Sequence, residues 1–304
     1  MYHRAYEIPL SPGHPFPMSK YPLLRARLLA ENLITEHDLI TPEPIGIEAL
    51  ELVHTREYLD KLSTSTLSTA EVRRLGLPWS ESLWQRSLLA ASGTLLAGRT
   101  ALRDGLAANL AGGTHHAFAD HGEGFCVLND VALALKVLRA EGALRRAIVI
   151  DLDVHQGNGT AAIFEYVTEV FTFSMHGARN YPTAKMRSSL DLPLRDAIDD
   201  AEYLELLATH LPAALDRSLP EIAFYLAGVD VVAGDRYGRL ALTERGLAER
   251  DRFVVETVRS RGIPLVIVLA GGYAATRERT AELHTHVFRA AAEIERSARG
   301  VAKN

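Results

Sequence analysis

A run of ionisable side chains follows a short apolar segment near the middle of the chain. Residues 145–159 read RRAIVIDLDVHQGNG, in which Asp151, Asp153 and His155 alternate with Leu152 and Val154. In an extended chain, alternate side chains project to the same side, so the two carboxylates and the imidazole converge. Burying three such groups is costly unless a cation or hydrogen bonds compensate them. The spacing therefore indicates a divalent metal site.

The types of ligand indicate an open, catalytic metal site. Asp and His donors suit Zn²⁺, whereas a structural zinc site closes with four protein ligands that usually include thiolates, and Cys126 is the only cysteine. A third protein ligand is therefore expected from elsewhere in the chain. The same donor types also accept Fe²⁺ or Co²⁺. The alternative, from this stretch alone, is a cluster that only caps the following helix through Asn158 and Gly159.

The surrounding residues predict the elements that must position these groups. Ala147 to Ile150 are apolar and mostly β-branched, and they predict a buried strand within Arg146–Asp153. Other strands are expected at 107–111, 170–175, 222–229 and 264–270. Between and around them, helices are expected at 83–104, 128–140, 160–166, 201–215, 244–260 and 275–298. The proline-rich residues 1–22 predict a strand followed by a loop.

This alternation of strands and helices predicts an α/β fold. We expect an open, mainly parallel sheet flanked by helices on both faces, with a site at the C-terminal ends of the strands. The chain has 304 residues, 47% of them hydrophobic, which is enough for one large core. Because no linker divides the sequence, residues 1–304 are expected to form a single domain.

The predicted strand ends carry polar groups that a solvated loop would not need. They read Gly112-Gly113-Thr114-His115-His116, Ser174-Met175-His176, Gly228-Val229-Asp230 and Gly271-Gly272-Tyr273. Each has a plainer interpretation, since a lone histidine is usually a core or surface residue and Gly-Gly-Tyr is usually a turn. Their coincidence at the same edge of a parallel sheet favours one shared site.

Charge and composition exclude several classes of protein. The net charge is -5, and the basic residues are interleaved with acids, so nucleic-acid binding is not expected. The single cysteine excludes an internal disulfide, and no apolar run has the length of a membrane span or a signal core. We therefore expect a cytoplasmic protein without a membrane partner. The sequence does not predict its oligomeric state.

Four blocks of the sequence resemble a known family. GGTHHAFADHGEGFCVLND, DLDVHQGNGTA, AGVDVVAGDRYGRL and AGGYA are similar to the zinc-dependent histone deacetylases and their bacterial relatives, within the arginase-deacetylase fold. The resemblance covers most of the chain, from about Tyr58 to the end. The segments LSPGHPFPMSKY and SMHGARNYP, together with the Gly-Gly-Tyr ending, are most similar to class IV deacetylases and their bacterial homologues.

The resemblance implies two cation sites and a substrate tunnel. By matching position, the implied zinc ligands are Asp153, His155 and Asp230, which supplies the third ligand. The resemblance also implies a structural potassium ion near Asp151, Asp153, His155, Ser174 and Met175. The walls of the implied acyl-lysine tunnel are Gly124, Phe125, Tyr181 and, near its mouth, Tyr237.

The resemblance also implies the catalytic roles. His115 and His116 correspond to tandem histidines that act as general base and general acid, and Asp151 corresponds to the carboxylate that orients His115. Tyr273 corresponds to the phenol that steadies the oxyanion. Asn158 stands where some classes carry an aspartate beside the second histidine. A neutral amide stabilises imidazolium less than a carboxylate does, so the pKa of His116 is expected to be lower here.

Two further departures concern the substrate. Ala270 replaces one glycine of the commoner Gly-Gly-Gly-Tyr run, which is a mild change. Tyr237 lies where leucine is often found near the tunnel mouth, and its bulk is expected to restrict or reshape the entry of the acyl chain. Asp235 is expected to hold the loop after Asp230 rather than to bind a metal.

The chemistry of amide hydrolysis accounts for these residue types. Zn²⁺ polarises a carbonyl and lowers the pKa of bound water toward roughly 7, a histidine exchanges the proton, and a phenol donates to the oxyanion. We predict a zinc-dependent amidohydrolase that removes acetyl or longer acyl groups from acyl-lysine or a related acylated amine. The alternatives are an arginase-like two-metal ureohydrolase, which would recruit Asp235, and a catalytically silent acyl-lysine binding protein.

Overall fold

The computed structural model describes residues 1–301, and the side chains as far as residue 297. Six strands form one sheet in the order β1-β6-β5-β2-β3-β4, and every neighbouring pair is parallel. The strands are β1 Leu106–Asn109, β2 Ala147–Asp151, β3 Val170–Gly177, β4 Leu190–Leu194, β5 Ala223–Leu226 and β6 Leu265–Val268. All residues of β2, β3, β5 and β6 are buried, as their apolar sequences predict.

Helices flank the sheet. They are α1 Lys20–Ala30, α2 Ile47–Leu50, α3 Arg56–Ser63, α4 Thr69–Leu75, α5 Glu81–Asp104, α6 Asp130–Ala140, α7 Asn158–Phe164, α8 Asp200–Ser218, α9 Glu244–Arg259 and α10 Arg277–Val301. Helix α5 packs on α6 and on β1, α8 contacts β2 and β3, and α9 lies between α8 and α10. The predicted open parallel α/β fold is therefore confirmed.

Polar caps explain where several of these helices begin. The side chains of Ser80, Asn129, Asp199 and Thr243 each accept a hydrogen bond from a backbone N–H in the first turn of the helix that follows. In the βα unit that carries the Asp-x-His sequence, β2 ends at Asp151 and α7 begins at Asn158. The intervening loop therefore holds Asp153 and His155 at the C-terminal edge of the sheet.

One prediction about secondary structure is wrong, and one strand was not predicted. Within residues 1–22 the structure has a 3₁₀ turn at Arg4–Tyr6 and the start of α1, where a strand was expected. Strand β4 was not predicted, because its sequence LDLPL contains a proline and lies at the edge of the sheet, where the partly exposed residues give no apolar run.

Candidate active site

The loops after β2 and β5 bring three candidate metal ligands together. One donor atom from each of Asp153, His155 and Asp230 lies within 4.8 Å of the other two, and all three residues are buried. Asp153 Oδ1 and Asp230 Oδ2 lie 3.0 and 3.3 Å from His155 Nδ1. Asp230 Oδ2 is buried and has no hydrogen bond among the described residues, which is costly for a carboxylate oxygen. A divalent cation bound by this O, N, O donor set would remove that cost, so the residues fit the predicted metal.

Backbone contacts hold the ligands in place. Asp230 Oδ1 accepts a hydrogen bond from Val154 N at 3.0 Å, which joins the loop after β5 to the loop after β2. Asp153 Oδ2 accepts one from Gly271 N at 2.6 Å, which joins both loops to the segment after β6. Burial, together with the charge of Asp153, raises the pKa of Asp230 to about 6. The three strand ends thus form one connected site.

The tandem histidines lie beside this group with different partners. The His115 and His116 rings are 4.2 Å apart between centroids. His115 Nδ1 donates to Asp151 Oδ2 at 2.7 Å, and His116 Nδ1 donates to Asn158 Oδ1 at 2.7 Å. Burial opposes protonation of His115, but the Asp151 and Asp153 carboxylates outweigh it and raise the pKa of His115 to about 9. Burial and the charges of neighbouring histidines hold the pKa of His116 well below its usual value.

The hydrogen-bond partner of Asn158 on its other side, Glu123, was not predicted from the sequence. Asn158 Nδ2 donates to Glu123 Oε1 at 2.5 Å, so the amide links the carboxylate to His116. A hydrogen bond to Glu123 also contributes, after burial, to raising the pKa of the Tyr181 hydroxyl. Glu123 directly precedes the glycine of the tunnel wall in the block HGEGF, and that adjacency was the signal that could have found it.

A second carboxylate that the sequence analysis missed positions the histidine loop. Asp130, the first residue of α6, accepts hydrogen bonds from Gly113 N at 3.0 Å and Thr114 N at 2.8 Å. Its Oδ2 also accepts one from Thr94 Oγ1 at 2.5 Å. These contacts satisfy the buried carboxylate and fix the backbone immediately before His115.

Tyr273 enters the site on a loop that is held at both ends. Lys20 Nζ donates to Ala270 O at 2.7 Å, and Ala270 has a φ of 55°, a left-handed conformation that glycine adopts more readily. Tyr273 N donates to Asp235 Oδ2 at 2.7 Å, and Asp235 Oδ1 accepts from Tyr237 N at 2.9 Å. The prediction that Asp235 holds the loop after Asp230 is confirmed, because Asp235 Oδ1 accepts hydrogen bonds from Tyr237 N and Gly238 N in that loop. Burial and the Asp230 and Asp153 carboxylates raise the pKa of the Tyr273 hydroxyl, so it stays protonated at neutral pH.

An aromatic opening leads to these groups. An outer cavity of about 280 Å³ is bordered by all four predicted tunnel residues, namely Gly124, Phe125, Tyr181 and Tyr237. An inner cavity of about 40 Å³ shares His116, Gly124, Phe125, His155 and Tyr273 with the outer one and continues past Asp153. Gly124 has a φ of 55°, and a Cβ atom there would lie 2.6 Å from the His116 ring. Glycine is therefore required for the wall to approach the histidine.

The residues of the predicted potassium site lie at the ends of β2 and β3. Asp151 pairs in register with Ser174, and Met175 follows on the buried strand β3. Ser174 Oγ is hydrogen-bonded to His176 Nδ1 at 2.9 Å, so His176 braces the strand end. Potassium binding at these residues stays a prediction.

Fold and site together define the class of protein. A parallel α/β sheet carries a buried Asp-His-Asp group, paired histidines and a tyrosine at the carboxyl ends of its strands, which is the arrangement of an enzyme active site. Residues 14–291 match the family model described as histone deacetylase domain. The chain therefore belongs to the histone deacetylase family, and this membership supports a hydrolase of the deacetylase type.

The chain is also similar to individual proteins. An uncharacterized protein of Picosynechococcus sp. is 44% identical over 294 residues, covering 97% of this chain and 98% of the relative. Histone deacetylase 2 of Arabidopsis thaliana is 30% identical over 286 residues, covering 90% of this chain and 74% of the relative. The crystal structure of the HDA15 HD domain shares the fold with a TM-score of 0.78 at 23% identity, covering 94% of this chain and 84% of that one.

Among the described residues, none of the helices is both long and apolar enough to cross a bilayer.

Proposed function

We propose that the protein is a zinc-dependent deacylase that removes acetyl or longer acyl groups from acyl-lysine or a related acylated amine. The observation that carries this proposal is the buried group Asp153, His155 and Asp230 beside the histidine pair at the inner end of an aromatic opening. Fe²⁺ is an alternative metal for the same donors. The structural potassium ion, the class IV likeness and the cytoplasmic location belong to this proposal as predictions.

The metal would be held by Asp153, His155 and Asp230. When bound there, it would polarise the amide carbonyl and lower the pKa of a coordinated water molecule. Both histidines use Nδ1 to donate to Asp151 or Asn158, which leaves Nε2 of each ring available for proton exchange. In this role, one ring takes a proton from water and the other returns one to the departing amine.

Tyr273 is the donor for the developing oxyanion. Its hydroxyl stays protonated because burial and nearby carboxylates raise its pKa. The Asp235 contact to Tyr273 N and the Lys20 contact to Ala270 O fix the loop before the substrate arrives. A donor positioned in advance costs no reorganisation during the reaction, which is the source of its catalytic value.

The cavities favour an acylated amine with a slender chain. The aromatic walls Phe125, Tyr181 and Tyr237 can enclose the methylene chain of a lysine in the outer 280 Å³. The inner 40 Å³ is small, so it suits an acetyl methyl group better than a long acyl chain. We therefore assign acetyl as the favoured acyl group.

The hydrogen bonds of Asp235 disfavour the two-metal alternative. An arginase-like site would need Asp235 as a ligand, but both Asp235 oxygens accept backbone hydrogen bonds, from Tyr237, Gly238 and Tyr273. The silent-binder alternative is disfavoured because the proposed base, acid and oxyanion donor all border the same cavity.

The test is hydrolysis of fluorogenic acyl-lysine peptides by metal-reconstituted protein, with Asp230→Ala as the control. We expect release that depends on added metal and disappears in the variant, because one of three ligands is lost. Binding of the peptides without release would establish the silent binder. Release that is equal in Asp230→Ala would show that the assigned group is not the catalytic centre.

A further inference from the structure

A buried arginine contacts the backbone of both loops that carry the proposed metal ligands Asp153 and Asp230. Arg250, on α9, has no exposed surface and is among the largest fully buried side chains of the protein. Neither the fold prediction nor the proposed mechanism gives it a role. A buried guanidinium is retained only where its hydrogen bonds are satisfied, so its partners indicate what it does.

The guanidinium joins the two loops that carry the ligands. Arg250 Nη1 donates to Leu152 O at 3.2 Å and to Gly228 O at 2.7 Å. Leu152 directly precedes Asp153, and Gly228 precedes Asp230 by two residues. Leu152 N also donates to Leu226 O at 3.3 Å, at the point where β2 and β5 end. Arg250 therefore bridges the backbones of the two loops immediately after β2 and β5.

The other side of the guanidinium is fixed to the scaffold. Arg250 Nε and Nη2 donate to Asp251 Oδ1 at 3.0 and 2.8 Å, and the same oxygen accepts from Tyr225 OH at 2.6 Å. Tyr225 lies on β5, so the cluster links α9 to the strand that leads to Asp230. The Arg250 guanidinium and the Asp251 carboxylate are both fully buried and form an ion pair. Because neither group can exchange its partner for water, the pair fixes the position of the guanidinium.

We propose that Arg250 is a positioning residue for the metal site, which sets the separation of the Asp153 and Asp230 carboxylates and thereby the affinity for the divalent cation. The proposal rests on the proposed function, because it takes these carboxylates as ligands. A single guanidinium can reach two carbonyls and a carboxylate at once because its five donors lie in a rigid plane. The ammonium of a lysine cannot reproduce that arrangement.

The test compares Arg250→Lys with Arg259→Lys. Arg259 is on the same helix and also pairs with one carboxylate, Glu295 Oε1 at 2.7 Å, and one carbonyl, Ile263 O at 3.1 Å, but it contacts neither ligand loop. Three quantities are measured on each variant and the unchanged chain. They are the Kd for Zn²⁺ by chelator competition, the visible absorption spectrum of the Co²⁺-substituted protein, and the urea midpoint of the metal-free protein.

We expect Arg250→Lys to raise the Kd for Zn²⁺ about tenfold or more and to alter the Co²⁺ spectrum, as loss of an outer-shell contact commonly does. Arg259→Lys should leave both unchanged, even where its urea midpoint falls. An unchanged Kd in Arg250→Lys, or an equal rise in both variants, overturns the inference. Absence of metal binding by the unchanged chain would instead refute the proposed function.

Arg250→Lys removes well-placed buried contacts. If that variant does not fold, a second variant tests whether Arg250 positions the metal ligands. Asp251→Asn weakens the anchor of the guanidinium and leaves its carbonyl contacts in place. A rise in Kd of about threefold or more supports the inference, and a smaller rise overturns it.

Discussion

Replacing Asn158 by aspartate tests the hydrogen-bond network around the second histidine. Asn158 Oδ1 accepts from His116 Nδ1, and its Nδ2 donates to Glu123 Oε1 at 2.5 Å. In Asn158→Asp the first contact survives, because a carboxylate accepts as the amide oxygen does. The second contact is lost, because the introduced carboxylate faces the carboxylate of Glu123. Asn158 is buried and the Glu123 side chain is only 14% exposed, so water screens the pair poorly.

The cost follows from the distance. If the two carboxylates relax to about 4 Å at an effective dielectric constant of about 20, their repulsion is about 4 kcal/mol. Protonating one of them at pH 8 would cost a similar amount, since each pKa unit corresponds to about 1.4 kcal/mol. We therefore expect Asn158→Asp to lower the free energy of unfolding by about 4 kcal/mol, a large part of the stability of a typical protein.

Urea unfolding of the metal-free protein at pH 8 measures this effect in a double-mutant cycle. The single variants Asn158→Asp and Glu123→Gln are compared with the variant that carries both changes. The amide introduced at Glu123 can donate to the introduced carboxylate, so the double variant should be within about 1 kcal/mol of Glu123→Gln alone. A loss under about 1 kcal/mol in Asn158→Asp, or no recovery in the double variant, would refute the network.

Three further predictions address the site and its support. Tyr273→Phe should lower kcat by a factor of about 10²–10³ with the metal content unchanged. A loss of only a few-fold would contradict the role of Tyr273 as oxyanion donor. Burial lowers the pKa of His54 in the folded protein to about 4. As the pH falls, the unfolded chain therefore protonates this histidine first, near pH 6.5. About 3 kcal/mol of the free energy of unfolding should be lost between about pH 6.5 and 4. His54→Gln should flatten that part of the stability profile, and an equal slope in both proteins would contradict the assignment. Across a series of acyl-lysine peptides, kcat/KM should be highest for acetyl, and a maximum at a long chain would show that the inner cavity opens.

The sequence predicts the central strands well because burial on both faces leaves a continuous apolar run. Residues 147–150 and 265–268 are such runs, and both lie in buried strands in the structure. Strand β4 lacks that signal, since it is an edge strand whose proline and partly exposed residues resemble a loop. The burial of His284 depends on how α10 packs against its neighbours, which local periodicity does not encode.

The residues of the site likewise divide into those that the sequence predicts and those that it does not. Asp153, His155 and Asp230 could be predicted to meet because parallel strands end at one edge of the sheet. Asp130 and Arg250 could not, because their roles are hydrogen bonds to residues that are distant in sequence. Ordinary acidic or basic residues on helices and loops carry no local pattern that separates such contacts from a solvated surface.

The proposed deacylase is best tested by titrating metal-free protein with Zn²⁺ while deacetylation of an acetyl-lysine peptide is followed against metal bound per chain. We predict that activity rises in proportion to bound metal and is complete at one ion per chain. Activity that appears only with a second ion would favour a two-metal site, and the absence of turnover at full occupancy would contradict the deacylase.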